Sequence, residues 1–453
     1  MTEPIERGRY GSQPMRELFG DQARFRFFVQ VEGVLARVQA RYGAIPQAAG
    51  DAIYARSLVH RCDLERIQQF EADTHHELFA VVREFAEHCG PNGRYVHHGV
   101  TSSDILDTAL ALQIDRALGL LDEALRELMG ASVEAIHRHG HHVLVGLTHG
   151  QHAQPVTLGF KLAIWLDQLG RCLQRLGEVR NRSVMGKVGG AVGSLASLGE
   201  HALRIQRDVL AELGLPAPEI AAQAVARDRM AEVVCWAGLT AACMETMATE
   251  VRNLQRTEIG EVGEAFAEGD QIGSSAMPHK RNPVRCETVC SLARLVRALI
   301  GPALENVVTW HERDLANSAN ERFTLPQSCI LLEHMLTTMA SVVSRLRVDP
   351  DRMADNLARS GRSYLSEQIL LLMVDRGMER LTAYRLLQDV SRSAGSYGGD
   401  LVTALRADPR VQPLLTDAEL ADLTARADTG YCTELAAQTT ERTSASLGER
   451  VRA

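Results

Sequence analysis

The chain has 453 residues, 45% hydrophobic and 23% charged, the ordinary make-up of a soluble globular protein with a large core. Its formal net charge of −8 argues against a nucleic-acid binder, and no run of about 18 apolar residues is present to span a membrane. The nine cysteines are scattered and never form a C-x-x-C pair, which suits reduced thiols in a cytoplasm rather than a disulfide framework or a zinc site.

The first twenty residues are polar and broken by Gly8, Gly11 and Pro14, so no secretory signal is expected. Shorter helices are predicted over Gln22 to Tyr42 and Leu64 to Cys89, separated by Pro46. Arg9-Tyr10 and Asp73-Thr74-His75-His76-Glu77 say little by themselves. Tyr95 to Asp104 is a polar segment in which Thr101 and Ser102 follow a glycine and precede a helix starting near Asp104. Free N–H groups and hydroxyls at a helix start can hold a carboxylate or phosphate, but an N-cap supplied by Ser103 or Asp104 would account for the same residues.

Thr148 to Pro155 places His149 and His152 just before a long helix. Histidine is suited to moving a proton near neutral pH, so His149 is a catalytic candidate, with a capping or core role as its competitor. No proline interrupts 156–215 or 219–277, which allows helices far beyond three or four turns. Leu158 to Leu169 and Val233 to Met247 are apolar over wide arcs and must be buried by several neighbours, so a homo-oligomer is expected. Met244, Met247, Val251 and Leu254 form one buried stripe, and Leu292, Leu295, Val296, Leu299 and Ile300 form another.

Between these stripes lies Gly273 to Pro283, with Ser274, Ser275, His279, Lys280 and Asn282 packed together. Pro278 discourages a helix there, so a loop held on rigid elements is predicted. Small hydroxyls followed by a cation can take a proton and then steady the negative charge left behind. Cys286 and Cys290, one helical turn apart, read as core residues. In His311 to Arg322, Arg313, Ser318 and Arg322 can grip a phosphate or carboxylate, but charge alone favours a surface ion-pair face made with Glu312, Asp314 and Glu321.

From about Asp349 the helices become short, marked by Asp349-Pro350, Asp408-Pro409 and Asp428-Thr429-Gly430, and Glu441 to Ala453 reads as a fraying helix. Together these patterns predict an all-α protein of three helical domains, residues 1–102, 103–348 and 349–453, the middle one a bundle of long helices.

The segments resemble the fumarase/aspartase superfamily, and within it the adenylosuccinate lyases. The G-S-S-x-M-P-x-K-x-N-P loop carries the likeness, with Thr101 to Ala109, Thr148 to Ala153, Gln223 with Arg227 to Arg229, Trp310 to Asp314 and Ser318 to Arg322. The resemblance implies a homotetramer with shared active sites, a small succinyl-nucleotide substrate, no nucleic-acid or membrane partner, and no metal or organic cofactor. By motif position it implies Ser274 as general base, His149 as general acid, Lys280 and Asn282 on the succinyl carboxylates, and Glu287 orienting a histidine. It also implies Arg9, Tyr10, Arg313, Ser318 and Arg322 on the phosphate and ribose, with His97, Thr101, Ser102, Gln223 and Ser275 on the rest of the substrate. The family's Arg-His-Asp segment stands here as His75-His76-Glu77, so His76 keeps its catalytic position while His75 and Glu77 alter substrate contacts. Thr288 stands where some members carry arginine. Both departures leave open a related reaction on another succinyl compound, such as that of a 3-carboxy-cis,cis-muconate cycloisomerase.

Overall fold

A computed structural model describes residues 3–266, 274–393, 399–425 and 427–448 of the chain. Gly273 and residues 449–453 of the expected final helix lie outside the described residues. Among the described residues the fold is helical apart from two short antiparallel pairs, Val143–Thr148 with Gln151–Thr157 and Val262–Gly263 with Arg347–Val348. The proline-free stretches do form long helices: Leu158–Ser183 has 26 residues and Asp228–Leu254 has 27, beside Ser102–His139 with 38 and Ser318–Ser344 with 27. No described helix is long and apolar enough to cross a membrane.

The chain divides into two compact units. The first comprises Met1–Arg126, Arg171–Glu245 and Val289–Thr337. Its amino-terminal part is a helical hairpin of Asp21–Arg41 and Gln47–Val59, drawn close where Gly33 faces Ser57 and Gly50 faces Ala40. A Cβ on Gly33 would lie 2.0 Å from the Ser57 hydroxyl, so no larger residue fits there. The predicted helix Leu64 to Cys89 is in fact two helices, Leu64–Thr74 and Glu77–His88. His75 takes a left-handed conformation at φ 53° and ends the first, and the His76 ring accepts the Phe79 N–H at 3.2 Å and caps the second. Helical periodicity runs through that break, which is why the pattern alone hides it.

The second unit comprises Glu127–Gly170, Thr246–Thr288 and Thr338–Ala453. Its carboxy-terminal helices enclose a core of Leu365, Ile369, Met373, Leu387, Val390, Val402 and Leu405. Asp349 and Asp400 cap the helices that follow them, accepting N–H bonds at 3.0 and 2.7 Å. The expected burial of Met244, Met247, Val251 and Leu254 is observed, as is that of Cys286 and Cys290, and all nine cysteines are free thiols. The other expected stripe is narrower. Leu292 and Val296 are buried but Leu295 is exposed, and the helix ends at Ala298 before Leu299.

Candidate active site

The expected site residues fall into two sets, one in each unit. In the second unit, His149 sits at the tip of a β-hairpin whose second strand, Gln151–Thr157, runs directly into the expected long helix Leu158–Ser183. Thr148 pairs with Gln151, leaving His149 at φ 54° and Gly150 at φ 73° as the two central residues of the turn. Positive φ at both positions is what a tight hairpin turn of this hand needs, and glycine takes it freely whereas histidine pays in strain. The arms are fastened by Val143 to Val145 opposite Pro155 to Thr157, with an irregularity at Gly146, where a Cβ would meet the Gln154 carbonyl at 2.7 Å. The result is an exposed imidazole on a rigid stalk.

The loop after Gly273 is held at its far end. Glu264 accepts the backbone N–H groups of Cys286 at 2.6 Å and Arg285 at 3.3 Å, capping the helix Val284–Ala298. Gln255 joins the same structure, donating to the Arg281 carbonyl and accepting from the Glu264 N–H. Within the loop the Ser274 hydroxyl oxygen accepts from the N–H of Met277 at 3.2 Å and of Ala276 at 3.4 Å, and Lys280 N–H closes a turn on the Met277 carbonyl. Ser275, Lys280 and Glu287 are exposed and Asn282 is half-buried. Two N–H groups aimed at one hydroxyl oxygen favour its ionised form, which is what a serine needs in order to act as a base. Thr288 spends its hydroxyl on the Val284 carbonyl at 2.8 Å.

In the first unit the helix from Ser102 starts two residues earlier than the sequence suggested. The Asp104 side chain reaches back to the Thr101 N–H at 2.9 Å, a reciprocal cap. Asp104 is fully buried and also accepts from the N–H groups of Gly189 and Gly190 and from the Lys187 ammonium. It thereby ties the glycine-rich stretch after Gly186 to the Thr101-Ser102 segment, and Ser197 adds a bond to the Gly99 carbonyl at 2.6 Å. Gln223 faces the same stretch, donating to the Ala191 carbonyl at 2.7 Å. Ser102 meets the His76 ring at 3.3 Å, so these two predicted residues are brought together. His97, at φ 62°, is clasped by the buried Glu32 through both its N–H, at 2.9 Å, and its ring, at 2.6 Å. Burial pulls the His97 pKa down, but the hydrogen bond and charge of Glu32 outweigh it and leave it raised.

Arg322 does not pair within its own segment. It donates to Glu77 at 3.1 Å through both terminal nitrogens, and Arg24 grips the same carboxylate twice at 2.7 Å. Burial pushes the Glu77 carboxyl up, but Arg24 and then Arg322 more than offset this and hold it below its ordinary value. Asp314 accepts backbone N–H bonds from Trp310 and Ala316, and Glu321 faces the buried Arg227 at 3.1 Å. The surface ion-pair face that composition allowed for His311 to Arg322 is therefore not what forms. Ser318 opens its helix one turn from Arg322, and Arg313 is half-buried. Tyr10 packs edge-on against His334 with centroids 5.2 Å apart, while Arg9 is exposed.

Several residues that build these sets escaped the pattern reading: Arg24, Glu32, Lys187, Gln255 and Glu264. Only Lys187 carried a local signal, because glycines 186, 189, 190 and 193 crowd around it.

Residues 8–298 match a lyase family, and residues 363–443 match the adenylosuccinate lyase C-terminus. The chain is 41% identical to the adenylosuccinate lyase of Pyrococcus abyssi over 92% of each chain. It is 41% identical to that of Synechocystis sp., over 91% of this chain and 94% of the relative. In structure it resembles the 3-carboxy-cis,cis-muconate lactonizing enzyme of Pseudomonas putida, with TM-score 0.89 and 32% identity over 99% of this chain and 100% of the other. A fumarate lyase of Mesorhizobium sp. BNC1 superposes with TM-score 0.87 at 30% identity, covering 97% and 98% of the two chains.

Proposed function

The chain belongs to the adenylosuccinate lyase family, and on that premise we propose that it eliminates fumarate from adenylosuccinate, leaving AMP, and from the succinylated aminoimidazole carboxamide ribotide of purine biosynthesis. It is a carbon–nitrogen lyase that releases fumarate. The observation that carries this reading is the 41% identity spread over 92% of the chain.

The proton removed in such an elimination lies beside a carboxylate and is weakly acidic, so its loss creates a doubly charged aci-carboxylate. Ser274 takes this proton, its alkoxide supported by the N–H groups of Met277 and Ala276. Lys280 and Asn282 bind the succinyl carboxylates, and Lys280 with nearby N–H donors stabilises the charge that develops, each such donor typically contributing about 3 to 4 kcal/mol. His149 protonates the departing nitrogen, His76 assists from the cap of its helix, and Glu287 orients a histidine. Arg9, Tyr10, Arg313, Ser318 and Arg322 take the phosphate and ribose, with His97, Thr101, Ser102, Gln223 and Ser275 on the remainder. We read residues 1–102, 103–348 and 349–453 as the three functional segments. The enzyme works in the cytoplasm as a homotetramer with shared sites, and the reaction as written calls on no metal or organic cofactor.

A second reading keeps the fold and the loop and changes the substrate, to another succinyl-type compound or to a carboxymuconate that is cyclised to a lactone rather than cleaved. It is supported by the likeness to the Pseudomonas putida enzyme and by Glu77 seated on Arg322. Initial rates with adenylosuccinate, the succinylated ribotide and 3-carboxy-cis,cis-muconate separate the two. The first reading expects the highest kcat/KM on the succinyl nucleotides, and turnover of the muconate alone would select the second.

A further inference from the structure

This inference rests on the reading that Arg322 holds an anionic part of the substrate, and it concerns what already occupies that arginine. Glu77 receives four hydrogen bonds from two guanidinium groups. Arg24 donates to both carboxylate oxygens at 2.7 Å, and Arg322 donates to the same two oxygens at 3.1 Å. A carboxylate offers about four lone-pair sites, so Glu77 has none left for a substrate hydroxyl. Its influence on a ligand must pass through Arg322.

The two grips differ. The Arg24 side chain is 21% exposed and the Arg322 side chain 55%, while the Glu77 side chain between them is 12% exposed. The shorter, more buried contact anchors Glu77, and the longer, more exposed one is the contact that an incoming ligand can exchange. Ser318 stands one helical turn before Arg322, so a hydroxyl shares the exposed side of that helix start. A phosphate reaching for the Arg322 fork meets a carboxylate already seated there. It must either displace Glu77 from the fork or bind beside its charge, and either route costs free energy that a neutral ligand does not spend. Arg24, Glu77 and Arg322 together carry a single positive charge, half of what two unpaired arginines would offer a phosphate dianion.

We propose that Glu77 is a specificity-determining residue: an internal carboxylate that occupies the fork of Arg322 and lowers the preference for phosphate-bearing over phosphate-free ligands. Phosphorylated nucleotides are then bound less tightly than an open fork would bind them, and more of the affinity for the succinyl nucleotide has to come from its other contacts.

The test is calorimetric titration of the full-length protein with AMP and with adenosine, for the wild type and Glu77→Gln. The variant is expected to bind AMP about tenfold more tightly, an advantage that shrinks as salt is raised, while adenosine affinity stays within about twofold. AMP affinity that is unchanged, or that falls, would overturn the proposal, because a fall would make Glu77 a support that holds Arg322 for the phosphate. Glu77→Asp serves if the amide variant fails to fold: it keeps the charge on Arg24 but withdraws it from Arg322 by one methylene. A raised AMP-to-adenosine affinity ratio is again expected, and an unchanged ratio is the contrary result. Fumarate release from adenylosuccinate with no shift in the ratio would sink this inference alone. A shifted ratio with no such release would sink the reading it builds on and leave the selectivity role of Glu77 standing.

Discussion

The set in the first unit and the set in the second are built on opposite principles. In the first unit three key polar groups are already satisfied: Glu77 by two arginines, Asp104 by Lys187 and three backbone N–H groups, and His97 by Glu32. In the second, His149, Ser275, Lys280 and Glu287 are exposed, and Ser274 accepts from backbone N–H groups of its own loop. Groups that bind a substrate gain from being fixed in advance, since little ordering then remains to be done on binding. Groups that move protons must change partners during the reaction, and a loop or hairpin tip lets them do so when it closes. Charge pairing thus distinguishes the first set, and exposed groups on turns distinguish the second, which fits the binding and proton-transfer roles proposed for most of their residues.

The sharpest way to break this comparison is Ser274→Ala. It is expected to lower kcat by about 10³-fold, the scale of a lost general base, with the melting temperature unchanged because, among the described residues, the hydroxyl bonds within its own exposed loop. Near-normal turnover would remove the hydroxyl from the chemistry. In the paired half the largest effect should fall on stability. Lys187→Met leaves the buried Asp104 carboxylate without its cation and should cost about 3 to 5 kcal/mol, read as a shift in the denaturation midpoint. A shift below about 1 kcal/mol would mean that the backbone N–H groups suffice for Asp104.

Smaller effects sharpen the contrast. Because the folded-state pKa of His97 is raised, its contact with Glu32 adds stability fully below about pH 6.5 and loses it as pH rises through the raised folded value. Melting curves from acid to mildly alkaline pH should show that decline, and His97→Gln should flatten it. An unflattened profile would assign the pH dependence to other groups. Smallest is Gly150→Ala, where φ is 73° and no atom lies within 4 Å of an added Cβ. The cost should be the left-handed strain alone, about 1 kcal/mol, with kcat falling more than KM rises if the hairpin tip positions His149.

How much of this was legible in the sequence followed how local each interaction is. The loop from Ser274 to Asn282 was readable because its hydroxyls, cation and prolines are contiguous, and the long helices because prolines are absent over 156–215 and 219–277. The His149 turn was harder to see. Val143 to Leu147 is a short, largely apolar stretch, too short to tell strand from helix by pattern, and it is the strand pairing and the positive φ at His149 and Gly150 that reveal the hairpin. The break at His75 was hidden for a related reason, since a helical repeat continues on both sides of a single left-handed residue. The partner of Arg322 was not legible at all. Its acidic neighbours in sequence predict a local ion pair, yet the carboxylate it meets is 245 residues away and is shared with Arg24, from a helix whose pattern signals only a core. Local chemistry shows in a sequence; a charge pair closed by tertiary packing does not.

The account stands most directly on the products formed from adenylosuccinate by the purified protein. It predicts AMP and fumarate appearing together in equal amounts, with both absent in Ser274→Ala. Adenylosuccinate recovered intact from the wild-type protein, under conditions where another succinyl compound is consumed, would contradict it.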